Sequence, residues 1–266
     1  MNALVLRSGR SVLAELDARQ PLLARAGWAA LALALACLGA MALDARTIHG
    51  VSVWVKPAKF AVSFVAWFWT LAWAWGVLAP RARDGLVARI VLWGTLATAG
   101  FEQGWITLRA ALGQPSHFAD DRLGQAMYGL MGVGAVTLVA LAALLGVLVL
   151  LRPDPQQPRP WRLAVGLGLV LGGVLGGFTG ASISALDTPR IGGTPGDAGN
   201  FAPFFWSRDG GDLRVAHFLG IHAMQALPAL ALLGAGAGMV WLGAAGWTAM
   251  SLGAYALAMA GVPLSP

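Results

Sequence analysis

Four histidines and a single glutamate set in an apolar segment are the residues of this 266-residue chain best suited to chemistry. His217 and His222 lie in GDLRVAHFLGIHAMQALPAL (211–230), with Gln225 beside them and Pro228 interrupting the run. His117 closes the stretch GQPSHF, His49 lies further upstream, and Glu102 opens FEQGWITLRAALG. Imidazole binds zinc, copper or iron and also exchanges protons near neutral pH. Ionisable groups within apolar segments are costly to bury and by default mark function.

Spacing restricts what these groups can do together. His217 and His222 are five residues apart, which is ~140° around a helix and ~7.5 Å along it. One regular helix cannot present both to one metal ion, so a site needs side chains from other segments. His222 and Gln225 share a face, and Arg214 and His217 share another. Pro228 removes a backbone hydrogen bond and leaves a carbonyl free below the His222/Gln225 face. Glu102 and Arg109 are seven apart and so on one face, with Glu102 ~10 Å deeper if Arg109 marks the membrane boundary. A carboxylate at that depth needs a proton or a cation beside it. The partners on offer are Arg109, a lysine of the second apolar segment, and His222.

These patterns yield a set of expectations. Glu102 is the candidate catalytic acid or base. His117, His217, His222 and Glu102 are the candidate ligands of a divalent metal, and His217, His222 and Gln225 would hold a cofactor such as that metal or a haem. Lys59, Arg109 and Arg214 are candidate ligand-binding groups at the rim, with Lys56 close to Lys59. Each has a plainer alternative. A buried histidine often just hydrogen-bonds its neighbours, Glu102 is equally suited to a structural interhelical ion pair, and lysines at a segment end snorkel. Asp120, Asp121, Asp209 and Asp212 read as caps and solvated charges, with Asp212 placed to cap the helix that follows it.

The elements that must position these groups are apolar helices. Hydrophobic residues make up 58% of the chain and charged residues only 11%, against roughly 25% charged in a soluble domain, and mean hydropathy is +0.69. Seven apolar blocks are long enough to cross ~30 Å of hydrocarbon at ~1.5 Å per residue. They fall at about 26–43, 60–79, 86–111, 125–151, 161–185, 213–233 and 239–261, giving an all-α, seven-helix membrane bundle over 26–261. Residues 1–25 form a mixed segment, either an amphipathic surface helix or a frayed tail. GAMALDA resembles a cleavage site, but the acid-containing segment before it is unlike a signal-peptide n-region, so the first block is expected to stay as a helix. Cys37 is the only cysteine, which excludes an intramolecular disulfide and a cysteine-based zinc site.

Charge sets the expected orientation. The N-terminal segment, 80–89 and 152–162 carry ten arginines against four acids, whereas the alternate connections carry eight bases against eight acids. The net charge of +6 therefore sits on one side, which the positive-inside rule places in the cytoplasm, with the C-terminus outside. All four histidines and Glu102 then fall in the outer half, and the protein is expected in the bacterial cytoplasmic (inner) membrane. The same flanking pattern, with no helix-turn-helix, zinc or RNA-binding motif, argues against nucleic acid as a partner.

Two connections stand out. RPDPQQPRP is a proline-rich joint that cannot be helical. The 187–212 connection is long and rich in glycine and proline, and its run FAPFFW suggests that it folds over the outer mouth or lies in the interface. Gly168, Gly172, Gly176 and Gly180 form a small-xxx-small seam on the fifth block, suited to close helix packing and to self-association into a homo-oligomer.

GDLRVAHFLGIHAMQALP, VKPAKF and GQPSHF resemble a pattern found in uncharacterised bacterial integral membrane proteins. That resemblance implies a seven-span inner-membrane protein and no residue roles. The seven-span zinc hydrolases of the ceramidase and adiponectin-receptor type are a poor fit, because the last block has no histidine. A microbial rhodopsin is excluded because that block has no lysine. Three functions stay open: a metal or haem site, with a membrane-embedded enzyme as one version of it; a transporter or binding protein for a small ligand, anions included; and a non-catalytic assembly subunit in the lipid bilayer.

Overall fold

The computed structural model describes residues 11–48, 50–117, 121–196 and 200–263; His49 and Asp120 lie outside them. Among the described residues the chain is mainly helical, and its connections include two short antiparallel pairings. The helices are α1 (Val12–Arg19), α2 (Pro21–Leu43), α3 (Val55–Trp75), α4 (Pro80–Arg83), α5 (Leu86–Ala111), α6 (Arg122–Leu151), α7 (Arg159–Ala185), α8 (Leu213–Leu232) and α9 (Ala237–Met259). Thr47–Ile48 pairs with Val51–Ser52, and Arg190–Ile191 with Gly211–Asp212.

Four helices, α2, α6, α7 and α8, are long and apolar enough to cross a membrane. α3, α5 and α9 are 21, 26 and 23 residues long. Their mean hydropathy is diluted by specific residues: Lys56, Lys59 and four tryptophans in α3, Arg89, Glu102 and Arg109 in α5, and glycine, serine and tryptophan in α9. Caps set several starts. Asp121 accepts the Gly124 amide at 2.7 Å to begin α6, and Asp212 accepts the Arg214 amide at 3.0 Å to begin α8. Pro158 and Pro160 bracket the start of α7, where a proline costs no helical hydrogen bond. Pro228 sits inside α8 without ending it.

The long helices follow a sequential path, α2 on α3, α3 on α5, α5 on α6, α6 on α7, α7 on α8 and α8 on α9, with α9 also touching α7. In lipid, apolar surface alone does not drive helices together, so close packing has to. α7 supplies it on two faces. A Cβ on Gly168 would lie 2.8 Å from the Ala223 carbonyl oxygen of α8, and one on Gly173 would lie 2.5 Å from the Val139 carbonyl oxygen of α6. The glycine seam expected to serve self-association is therefore taken up inside the chain. Gly168, Gly172, Gly176 and Gly180 all meet α8, at Ala223, Ile221 and His217.

The connections gather into two ends. At one, the Ala79 amide donates to the Arg152 carbonyl (2.9 Å) and the Asp154 amide to the Val77 carbonyl (2.8 Å), while Arg83 pairs with Asp154 at 3.7 Å. Helix α1 joins this end and packs on α2 and α3. Glu15 is 1% exposed and binds Arg19 Nε at 2.8 Å, while Arg19 Nη1 donates to the Trp73 carbonyl at 3.0 Å. Within the mixed segment 1–25, the described residues hold α1 and the first turn of α2. The described parts of the 44–54, 112–121 and 187–212 connections occupy the opposite end. There Arg46 Nη1 donates to the Ala111 carbonyl, and Gly211 sits against Ala258 near the end of α9.

Candidate functional site

Helix α8 presents its two histidines to different neighbours, as their five-residue spacing requires. His217 faces α7, with Nδ1 3.1 Å from the Gly176 carbonyl and 3.1 Å from Thr179 Oγ1. Thr179 donates its own proton to the Leu175 carbonyl at 2.7 Å, so both atoms facing Nδ1 are acceptors. Gly180 makes room for the ring, since a Cβ there would lie 3.1 Å from His217 Cε1.

His222 faces the other way. Its Nδ1 is 3.1 Å from Gln225 Oε1, and Gln225 Nε2 donates to Thr70 Oγ1 of α3 at 2.9 Å. α3 and α8 have little direct backbone contact, so this polar bridge is a principal link between them. The face of α3 that carries Lys56, Lys59, Phe60 and Thr70 also carries Ser63, which is exposed. The two helices are thus set apart, and side chains span the cleft between their backbones.

The 201–207 segment covers the loop end of that cleft. Phe204 stacks on Trp206 with centroids 4.5 Å apart. Both rings meet Phe218 edge-on at 5.3 and 5.5 Å, and Phe218 in turn lies 4.1 Å from the His222 ring. Two cations tie this aromatic cover down through its backbone. Lys59 Nζ donates to the Phe204 carbonyl at 3.1 Å, and Arg214 Nη2 donates to the Phe205 carbonyl at 2.6 Å. Phe205 has φ of 60°, a left-handed conformation that bulky side chains avoid; the two charged anchors on either side of the peptide help to impose it.

α5 packs on α3 and, more extensively, on α6. Its buried stripe includes Thr95, Glu102 and Gln103. Glu102 is 4% exposed, and its Oε1 has no hydrogen-bond partner among the described residues. Gly134 of α6 provides its clearance, because a Cβ there would collide with Oε1. Gln103 Nε2 reaches the Pro57 carbonyl of α3 at 3.2 Å, and its Oε1 is buried without a partner, as is Thr95 Oγ1. Lys56, next to Pro57, is close enough to act electrostatically on both Glu102 and His117. His117 packs against Phe60 and edge-on to Tyr128, with centroids 6.4 and 5.6 Å apart. Burial, reinforced by the Lys56 charge, lowers its pKa to about 3, so His117 is neutral at physiological pH.

No family model, curated protein or solved structure matches this chain. The reading of the site rests on its geometry.

That geometry sorts the candidates into separate places. Among the described residues no three His, Cys, Asp or Glu side chains lie where they could hold one metal ion. The expected set of His117, His217, His222 and Glu102 does not converge. His217 is turned into the α7 seam, His222 towards α3, His117 into an aromatic pocket and Glu102 under Gly134. The expected cofactor trio divides likewise, since His222 and Gln225 stay together and His217 points away. At the expected rim, Lys59 and Arg214 meet on the aromatic cover. Arg109 does not join them, because it donates to the Pro115 carbonyl at 2.9 Å and pairs with Asp121 at 2.8 Å. It is therefore spent on Pro115 and Asp121 and not on Glu102. Asp121, held by the Gly124 amide and by Arg109, has its pKa lowered. Thr70, Tyr128 and Gly134 were not among the candidates. Thr70, a lone hydroxyl in a tryptophan-rich segment, was the one with a readable signal.

Proposed function

We propose that the chain is a seven-crossing protein of the bacterial cytoplasmic membrane that binds a small polar ligand in the outer half of its bundle, between α3, α5 and α8, beneath the 201–207 cover. The gathering of the arginine-rich connections at one end supports a cytoplasmic placement for that end. The lengths of α3, α5 and α9 support their crossing alongside the four more apolar helices. One observation carries the ligand reading: Glu102 is buried in an apolar helix with an oxygen that no described residue satisfies. A buried polar atom left without a partner costs about 1–3 kcal/mol, and polar groups kept in a membrane interior mark binding or transport pathways. Thr95, seven residues before Glu102 and so on the same face of α5, adds a second buried oxygen without a partner among the described residues.

Thermal unfolding of the protein in lipid nanodiscs tests this. The panel holds small amines, phenols, carboxylates and divalent metals, each applied to the wild type and to Glu102→Gln. At least one class should raise the wild-type midpoint and fail to raise that of the variant. If no class does so, and Glu102→Gln unfolds at a higher temperature than the wild type, Glu102 is only a strained packing group.

A further inference from the structure

The hydrogen-bond chain across the α3–α8 cleft has a direction. Gln225 gives its Nε2–H to Thr70 Oγ1 at 2.9 Å, which leaves its Oε1 as the atom facing His222 Nδ1 at 3.1 Å. A carbonyl oxygen only accepts, so Nδ1 must carry the imidazole proton. A neutral imidazole has one N–H, and the other nitrogen is then a bare lone pair. Among the described residues nothing bonds to His222 Nε2, and that atom is not fully buried. His222 is half-buried against Phe218, which is itself packed on Phe204 and Trp206.

We infer that His222 is a ligand-binding residue of this cleft, with Gln225 as the positioning residue that fixes its tautomer, and that Nε2 accepts a hydrogen bond from a planar, hydroxyl-bearing ligand of the phenol or hydroquinone type. The inference rests on reading the cleft as a ligand site and specifies the ligand's chemistry. A bare imidazole nitrogen selects a donor. The Phe218 ring 4.1 Å from the imidazole, itself packed on Phe204 and Trp206, favours a flat apolar body. A bilayer setting favours a molecule that partitions from lipid. His217 makes the contrast clear: its Nδ1 is also directed at acceptors, but its ring lies within the α7–α8 seam, against Gly180.

The test uses full-length protein with ¹⁵N-labelled histidine in nanodiscs near neutral pH, and hydroquinone and its dimethyl ether as probes. The His222 resonances, assigned by their loss in His222→Phe, should show a protonated Nδ1 and an unprotonated Nε2. Hydroquinone should move the Nε2 resonance and the dimethyl ether, which cannot donate, should not. Gln225→Leu should give a mixture of tautomers and weaken hydroquinone binding about tenfold. A protonated Nε2 in the wild type, the product of the opposite orientation of the Gln225 amide, overturns the inference, as does equal binding of the ether. A ligand that produces the Glu102-dependent rise in unfolding midpoint but leaves the His222 resonances in place overturns this inference alone. A hydroquinone-responsive His222 with no Glu102-dependent rise supports the inference and overturns the role given to Glu102.

Discussion

The two sides of α8 are built differently. Towards α7 the backbones close to glycine distance, with a carbonyl of one helix 2.8–3.0 Å from where a Cβ of the other would sit. His217 is locked there between Gly176 and Thr179. Towards α3 the helices stay apart, and a histidine, a glutamine and a threonine span the gap. Two histidines one and a half turns apart on one helix thus have unlike roles: His217 helps to close a seam, and His222 lines a cleft. The difference shows that the residue type of an intramembrane histidine matters less than the size of the residues opposite. Glycines at four-residue spacing bring a neighbour close enough to satisfy the ring with backbone, whereas Thr70 of α3 reaches α8 only through the Gln225 side chain.

The sharpest way to break this contrast is to open the seam. Gly168→Leu forces a side chain into the Ala223 carbonyl and Met224 Cα, 2.8 and 3.1 Å from its Cβ. We expect it to cost about 3 kcal/mol or more, seen as loss of monodisperse protein. A normal unfolding midpoint would mean that α7 and α8 are not tightly packed.

A smaller effect comes from His117, which sharpens the account of the cleft's polar end. Its folded pKa is lowered to about 3 from an ordinary 6.5. The unfolded chain therefore binds a proton that the folded one refuses, and stability falls as pH drops from about 6.5 towards 3. Unfolding midpoints should decline across pH 6.5 to 4, and His117→Phe should flatten that decline. Asp44 and Asp121, whose pKa values are lowered from 3.8, contribute only below that window. A wild-type midpoint that holds steady from pH 6.5 to 4 would contradict the buried, neutral state of His117.

The smallest effect concerns the cover. Lys59→Met removes one donor to the Phe204 carbonyl and should cost about 1 kcal/mol, yet increase quenching of Trp206 by acrylamide as the segment loosens. Unchanged quenching, measured against Trp206→Phe to isolate that residue, would show that the cover does not depend on its α3 anchor.

Much of the fold was legible because lipid imposes it. The apolar blocks at 86–111 and 161–185 match α5 and α7 to within two residues, and the run after Asp212 begins α8 where a capping aspartate would start it. The first turns of α3 were less legible: Lys56, Pro57 and Lys59 suggest a boundary, but the helix starts at Val55 because Pro57 still lies in its first turn. The candidate site was legible in its residues and not in its pairing. Glu102, His222 and Gln225 announce themselves as polar groups in apolar runs, but sequence spacing along one helix says nothing about the neighbour each face meets. The glycine seam shows the same limit. Its spacing marks a close contact, and only the fold shows that the partner is α8 and not a second copy. Gly134 gave no sign of its role, since its meaning lies entirely in the carboxylate packed against it.

The most direct test compares His217→Ala with His222→Ala by thermal unfolding in nanodiscs, each with and without hydroquinone. We predict that His217→Ala lowers the unfolding midpoint, by about 2 kcal/mol of stability, and keeps the ligand-induced rise. His222→Ala should unfold within about 1 kcal/mol of the wild type and lose that rise. The reverse result, a destabilised His222→Ala that still responds and a stable His217→Ala that does not, would contradict the division of α8 into a structural face and a binding face.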